Sequence, residues 1–283
     1  MSSFPVNTQE IQAFIDTAFA EDVGKGDVTA ETVIPESATL TATMNAREDL
    51  VLAGLPLMQP IFARLDADIE VTLHAADGDK LSAGAKIATI SGSARALLTA
   101  ERTALNILQH LSGIATLTRR YVDEIAGTGA KLLDTRKTIP GLRKLAKYAA
   151  ACGGATNHRM GLFDAVMIKD NHLAVAGSVA AAVSAAKAGG QEQIQVECDT
   201  LEQVGEALAA GATSLLLDNM SNEQLKEAIA IVDGKIPLEA SGGVTLETIK
   251  DIAQTGVNYI SVGRLTQSAP AIDIGLDYAN GQV

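Results

Sequence analysis

From about Lys131 onward, short apolar runs alternate with Ala-rich segments of helical period. The runs are 131–135 (KLLDT), 165–170 (AVMIKD), 194–199 (IQVECD), 214–219 (SLLLDN), 237–241 (PLEAS) and 259–263 (YISVG). Each is short and rich in Leu, Val or Ile, as strands covered on both faces must be. Between them, 178–190, 200–211, 221–232 and 245–256 read as helices. Several open on Ser or Thr, which cap orphan N–H groups, and close on Gly, which adopts the left-handed turn past a helix end. Thr200/Gln203 and Ser221/Gln224 have capping-box spacing, and Thr245/Thr248 has half of one.

Strand and helix in alternation predict a parallel sheet with right-handed crossovers. Nearly every run ends in a polar residue: Asp134, Lys169, Glu197, Asp218 or Ser241. A barrel gathers such strand ends around one mouth, which favours it over a doubly wound sheet. Six strands are too few for the usual eight, so the barrel is expected to be open and incomplete. The first ~113 residues differ. Segments 39–54 and 68–93 alternate apolar and polar residues between Gly- and Asp-rich turns, and predict antiparallel strands. Segment 94–127 predicts a long helix with an apolar face through Leu98, Leu105, Leu108 and Leu111. The chain's start reads as a capped amphipathic helix, not a leader peptide.

Composition adds limits. The chain has no Trp and only 3% aromatic residues, so its core must be mainly aliphatic. No apolar run reaches the ~18 residues of a membrane span. Cys152 and Cys198 form no CxxC pair, and reduced thiols in a cytoplasm are the simplest reading. The net charge of −12 argues against a nucleic-acid partner. Yet eight basic residues between Lys131 and Lys169 face only Asp134 and Asp164, a local +6 that leaves −18 for the rest. Solvated helix faces account for part of this stretch: Arg143, Lys144 and Lys147 lie on the helix after the first barrel strand.

The remaining cations sit where chemistry would need them. Arg136 and Lys137 follow the first barrel strand, His158 and Arg159 precede the second, and Lys169 ends it. Guanidinium and ammonium groups suit carboxylates and phosphates. His172 reads as structural or as a support behind the site. Ser241, Gly242 and Gly243 follow one strand and Gly263 the next, the usual place for a phosphate cradle in barrel enzymes. Glu197 and Asp218 oppose the cations and suit sugar hydroxyls, a water-bridged Mg²⁺ or a developing positive charge. Zinc spacing is absent from the sequence. These residues alone leave open a Schiff-base barrel enzyme using Lys169, or a non-catalytic anion-binding protein.

Eight blocks narrow the choice: 21–29 (EDVGKGDVT), 101–116 (ERTALNILQHLSGIAT), 134–143 (DTRKTIPGLR), 157–172 (NHRMGLFDAVMIKDNH), 196–200 (VECDT), 216–219 (LLDN), 239–244 (EASGGV) and 261–268 (SVGRLTQS). In this order, across nearly the whole chain, they resemble the quinolinate phosphoribosyltransferase family. The resemblance implies an N-terminal α/β sandwich domain (1–113 plus 270–283) and an open α/β barrel domain (114–269). It implies transfer of the 5-phosphoribosyl group from 5-phosphoribosyl 1-pyrophosphate (PRPP) to quinolinate, with decarboxylation, in de novo NAD biosynthesis. Products are nicotinate mononucleotide, pyrophosphate and CO₂; Mg²⁺ accompanies PRPP.

The resemblance also implies roles. Arg136, His158, Arg159 and Lys169, with Arg102 from a second subunit of a homodimer or higher homo-oligomer, would hold quinolinate. Ser241, Gly242, Gly243, Val262 and Gly263 would cradle the 5-phosphate. Lys137, with Arg136, would meet the pyrophosphate together with Mg²⁺, and Thr135 would be a further substrate-binding residue. Glu197 and Asp218 would hold ribose hydroxyls and metal-bound waters. Lys169 or His158 would assist decarboxylation. Arg264 stands where the family commonly has Ala.

Overall fold

The elements begin with α1 (Thr8–Asp22), α2 (Val28–Val33), β1 (Thr39–Ala46), β2 (Leu50–Val51), α3 (Met58–Ala63), β3 (Glu70–Leu73), β4 (Lys80–Leu81), β5 (Lys86–Ser93) and α4 (Ala94–Glu124). There follow β6 (Lys131–Leu133), α5 (Arg143–Gly153), β7 (Val166–Ile168), α6 (Asp170–Ala176), α7 (Val179–Ala188), β8 (Ile194–Cys198), α8 (Leu201–Ala210) and β9 (Ser214–Asp218). The chain continues through α9 (Asn222–Val232), β10 (Leu238–Ser241), α10 (Ile249–Ala253), β11 (Tyr259–Ser261), α11 (Arg264–Gln267) and β12 (Ile274–Tyr278). This is a computed structural model describing residues 4–278, so the first three residues and the last five lie outside the description. None of its described helices is long and apolar enough to cross a membrane.

Two compact units emerge. One takes the chain to Leu117, Lys144–Gly153 and the part from Ser268 onward. The other takes Thr118–Arg143 and Gly154–Gln267.

In the first unit an antiparallel sheet has the order β12-β1-β5-β3. Ala42, Met44 and Ala46 of β1 are buried in alternation, as a half-covered sheet requires. Asn7 and Glu10 close a capping box at the start of α1, the capped helix expected there. The buried face of α4 corrects the predicted one at its start. It runs through Leu97, Ala104, Leu105, Leu108 and Leu111, while Leu98, turned 100° from Leu97, is only half-buried. Lys147 is a second correction. It is fully buried, because α5 also buries Leu145, Ala146, Tyr148, Ala149 and Ala150 and has little solvated face. Lys144 does reach solvent and pairs with Glu10. Tyr148 donates its hydroxyl to Asp77 at 2.8 Å, and Asp77 also accepts from the N–H groups of Gly54 and Leu55.

The second unit is an α/β barrel left open at one seam. Its six parallel strands follow the order β6-β11-β10-β9-β8-β7. Read around the sheet this is the chain order, with only the β6–β7 pairing missing. The free edge of β6 instead takes Thr156, whose N–H donates to Leu132 O at 2.9 Å. The capping boxes at Thr200/Gln203 and Ser221/Gln224 form. The one at Thr245 forms by half. Thr248 precedes a short α10 there, and the Thr245 N–H donates to its hydroxyl at 3.0 Å. A further helix, α6, directly follows β7 and Lys169, and the His172 ring accepts the Lys169 N–H at 2.9 Å. His172 is thus a local structural group, as expected.

Candidate active site

A cavity of about 680 Å³ opens among the C-terminal ends of the barrel strands. It is lined by Thr135, Arg136, Lys137, His158, Arg159, Lys169, Glu197, Asp218, Ser241, Gly242, Gly243, Val262 and Gly263. Every site residue expected from the sequence is brought together here except Arg102. That residue lies on α4 in the other unit, exposed and 3.6 Å from Glu101.

Strand pleating decides which residues face the cavity. Met167, Leu216, Glu239 and Ser261 also line it, and sequence reasoning missed them. Each lies two residues before an expected site residue: Lys169, Asp218, Ser241 and Gly263. Period-two alternation was therefore the signal that would have found them. Arg264, Thr245 and Gln267 join at the rim.

Cations hold one wall. Arg136 keeps its Nε buried with no hydrogen-bond partner. Arg159 donates from Nη1 to Ala165 O at 3.0 Å. Burial lowers the Arg159 pKa, and the nearby charge of Arg136 lowers it further. Two like charges held close in a partly buried wall are poised for an anion that relieves both. Lys169 is hydrogen-bonded to Glu197 through Nζ and Oε2.

Asp218 lines the same cavity. Burial raises its pKa, and Asp199 adds to this, while Lys169 and Lys137 counter it. Asn219 donates to its Oδ2 at 2.6 Å. Among the described residues no group of three or more acids, histidines or cysteines could hold a metal by itself.

The two glycine loops are sterically committed. A Cβ on Gly242, whose φ is +94°, would lie 2.1 Å from Asn219 Oδ1 and 2.9 Å from its backbone N. A Cβ on Gly263 would lie 2.8 Å from Lys137 Cδ. The Lys137 loop is tied down on both sides: its N–H donates to Thr135 Oγ1 at 3.0 Å, and its carbonyl accepts from Thr266 at 2.8 Å.

Asp134 ends the first barrel strand yet does not face the cavity. It is fully buried, and accepts from the His158 N–H at 2.8 Å and Asn157 Nδ2 at 2.6 Å. Its charge supports the chain that carries His158 and Arg159.

A barrel that concentrates cations, two acids and glycine loops at its C-terminal mouth belongs with enzymes acting on small polyanions. Comparison with known proteins narrows the class. Two family models match in tandem: the quinolinate phosphoribosyl transferase N-terminal domain over residues 27–112 and the C-terminal domain over residues 114–277. A Bacillus subtilis (strain 168) protein described as "Probable nicotinate-nucleotide pyrophosphorylase (carboxylating)" is 42% identical over 274 residues, covering 96% of this chain and 94% of the relative. The mitochondrial "Quinolinate phosphoribosyltransferase (decarboxylating) 2b" of Nicotiana tabacum is 42% identical over 290 residues, 95% of this chain and 82% of the relative. The solved nicotinate-nucleotide pyrophosphorylase of Francisella tularensis superposes with a TM-score of 0.93 at 41% identity, covering 99% of this chain and 100% of that one. The chain belongs to the quinolinate phosphoribosyltransferase family.

Proposed function

We propose that the chain transfers the 5-phosphoribosyl group of PRPP to quinolinate and decarboxylates it, giving nicotinate mononucleotide, pyrophosphate and CO₂ for de novo NAD biosynthesis. The observation that carries this reading is the single cavity lined by Arg136, Arg159 and Lys169 together with Glu197 and Asp218, in which Arg136 Nε is buried with no hydrogen-bond partner. Quinolinate has two adjacent carboxylates, and two guanidinium forks plus Lys169 match them. PRPP sets its 5-phosphate in the cradle of Ser241, Gly242, Gly243, Val262 and Gly263, and its pyrophosphate near Thr135, Arg136 and Lys137.

The carboxylates give the reaction its direction. Glu197 and Asp218 hold the ribose hydroxyls and favour the positive charge that develops on C1 as pyrophosphate departs. The pyridine nitrogen of quinolinate forms the new bond to C1, and the ring becomes a pyridinium. That cation stabilises the electron pair left on the ring when the adjacent carboxylate leaves as CO₂. Lys169 positions the carboxylate that departs, and a proton from solvent takes up the electron pair left on the ring carbon and completes the product.

Mg²⁺ fits this site through the substrate. With no three-ligand cluster among the described residues, pyrophosphate oxygens and water would supply most of its shell, and Asp218 and Glu197 would reach it through water. When bound, it would neutralise charge on the leaving pyrophosphate.

Assembly and place follow the same reading. A homodimer or larger homo-oligomer would bring Arg102 of one subunit to the quinolinate site of another. Its guanidinium is exposed, as that role requires. The two free cysteines agree with a cytoplasmic setting.

Substrate discrimination tests the function. With PRPP and Mg²⁺, quinolinate should yield nicotinate mononucleotide, and nicotinate should be used at least ~100-fold less well because one carboxylate's charge-assisted contacts are missing. Turnover of nicotinate without turnover of quinolinate would overturn it.

A further inference from the structure

Glu239 lies on β10, two residues before Ser241, with its side chain only 3% exposed. It stands on a wall shared by the cavity at the barrel mouth and a second cavity of about 440 Å³ among the strand starts. A buried carboxylate is costly unless donors surround it. Two donors converge here on one oxygen: Glu239 Oε2 accepts from Gln195 Nε2 at 2.8 Å and meets His158 Nε2 at 3.1 Å. Burial is the strongest single influence and works against ionisation of Glu239, but His158, Ser261 and Gln195 together outweigh it and the pKa is lowered.

The other nitrogen of the His158 ring settles the tautomer. Nδ1 accepts the backbone N–H of Arg159 at 2.7 Å. An accepting ring nitrogen carries no proton, so the proton sits on Nε2 and points at Glu239. The His158 backbone is fixed as well, through its N–H to Asp134. The next side chain is Arg159, half of the guanidinium wall.

We propose that Glu239 is a positioning residue for the quinolinate pocket: it fixes the tautomer of His158, which holds the Arg159 backbone and so sets the Arg159 guanidinium beside Arg136. The role rests on reading this cavity as the quinolinate site. Without the acceptor at 239 the ring loses one of the two contacts that keep its proton on Nε2, and the one that anchors its far side. A proton on Nδ1 would face the Arg159 N–H, donor against donor, and segment 157–159 would shift. His158 in this arrangement is a brace behind the wall, which presents Arg136, Arg159 and Lys169 to the dianion.

The test begins with ¹⁵N-histidine NMR of the intact, ligand-free protein, the His158 signals being assigned by their loss in His158→Gln. The expected pattern is a protonated Nε2 and a bare, accepting Nδ1. Glu239→Leu should abolish that pattern and raise the KM for quinolinate about tenfold or more, while the KM for PRPP stays within about twofold. Glu239→Gln, whose carbonyl can accept from both donors, should keep the pattern and show a quinolinate KM between the two. A wild-type ring protonated on Nδ1 would overturn the proposal. So would an unchanged quinolinate KM in Glu239→Leu, or equal rises in both KM values. If Glu239→Leu does not fold, the wild-type spectrum and Glu239→Gln still decide. The spectrum needs no substrate, so an intact tautomer in an enzyme that ignores quinolinate would count against the proposed function and leave the Glu239–His158 contact standing.

Discussion

Lys169 Nζ donates to Glu197 Oε2, joining the C-terminal ends of the neighbouring strands β7 and β8 at the mouth of the barrel. The pair places a cation meant for a carboxylate next to an acid meant for a ribosyl cation. Glu197→Ala separates the two tasks. Quinolinate should bind at least as tightly to the freed Lys169, while kcat falls about 100-fold because the carboxylate acts mainly in the transition state. Calorimetric titration with quinolinate and steady-state kinetics together check this; a kcat near wild type would remove Glu197 from the chemistry.

Arg136 and Arg159 carry the opposite signature, a strain that substrate relieves. Arg159→Leu removes charge-assisted hydrogen bonds worth roughly 1.5–3 kcal/mol each, so quinolinate binding should weaken by about 10- to 100-fold. The same change ends the like-charge repulsion from Arg136 but also the hydrogen bond to Ala165 O, so the ligand-free protein should lose little thermal stability. Thermal denaturation with and without quinolinate separates the effects. A large loss of stability without ligand would make Arg159 a structural residue.

Asp218 gives a pH-dependent prediction. Its folded pKa lies above the ordinary value of 3.8, chiefly through burial. The folded state therefore holds this proton more tightly than the unfolded state, and the stability involved falls as pH rises from the unfolded value through the folded one. Asp218→Asn should accordingly be more stable than wild type at neutral pH, and the advantage should fade on acidification below that window. Activity should be lost throughout. Melting curves across pH check the sign.

The glycine loops differ in tolerance. Gly242→Ala places a methyl against the Asn219 backbone at positive φ, whereas Gly263→Ala meets only the flexible stem of Lys137. The first should raise the KM for PRPP at least tenfold, the second much less, and neither should alter quinolinate binding in calorimetry.

The proposed role of Arg102 is across subunits. Mixed oligomers of inactive Arg102→Ala and Lys169→Ala chains should regain part of the activity, because one site in a mixed pair has both residues intact. No recovery in demonstrably mixed oligomers would argue against a shared site.

Much of this was legible in the sequence, for physical reasons. Strands covered on both faces must be apolar, so the six barrel strands stood out, and their polar last residues marked the mouth. Six such runs foretold an open barrel, and the unpaired β6–β7 seam is its form. What escaped was a matter of facing. Met167, Leu216 and Glu239 sit inside apolar runs and look like core, yet the pleat turns them into the cavity beside their polar neighbours. Lys147 escaped in the reverse sense: charge suggested a solvated face, but its helix has little. The tautomer of His158 depends on a backbone N–H one residue away and an acid 81 residues on, a meeting that only the fold creates.

The central claim is that ribosyl transfer makes the pyridinium that allows decarboxylation. Quinolinate labelled in the carboxylate next to the ring nitrogen tests it in a single turnover. The label should leave as CO₂ only when PRPP and Mg²⁺ are present, one for each pyrophosphate formed. Release of labelled CO₂ without PRPP, or pyrophosphate formed with the label still on the nucleotide product, would contradict the account.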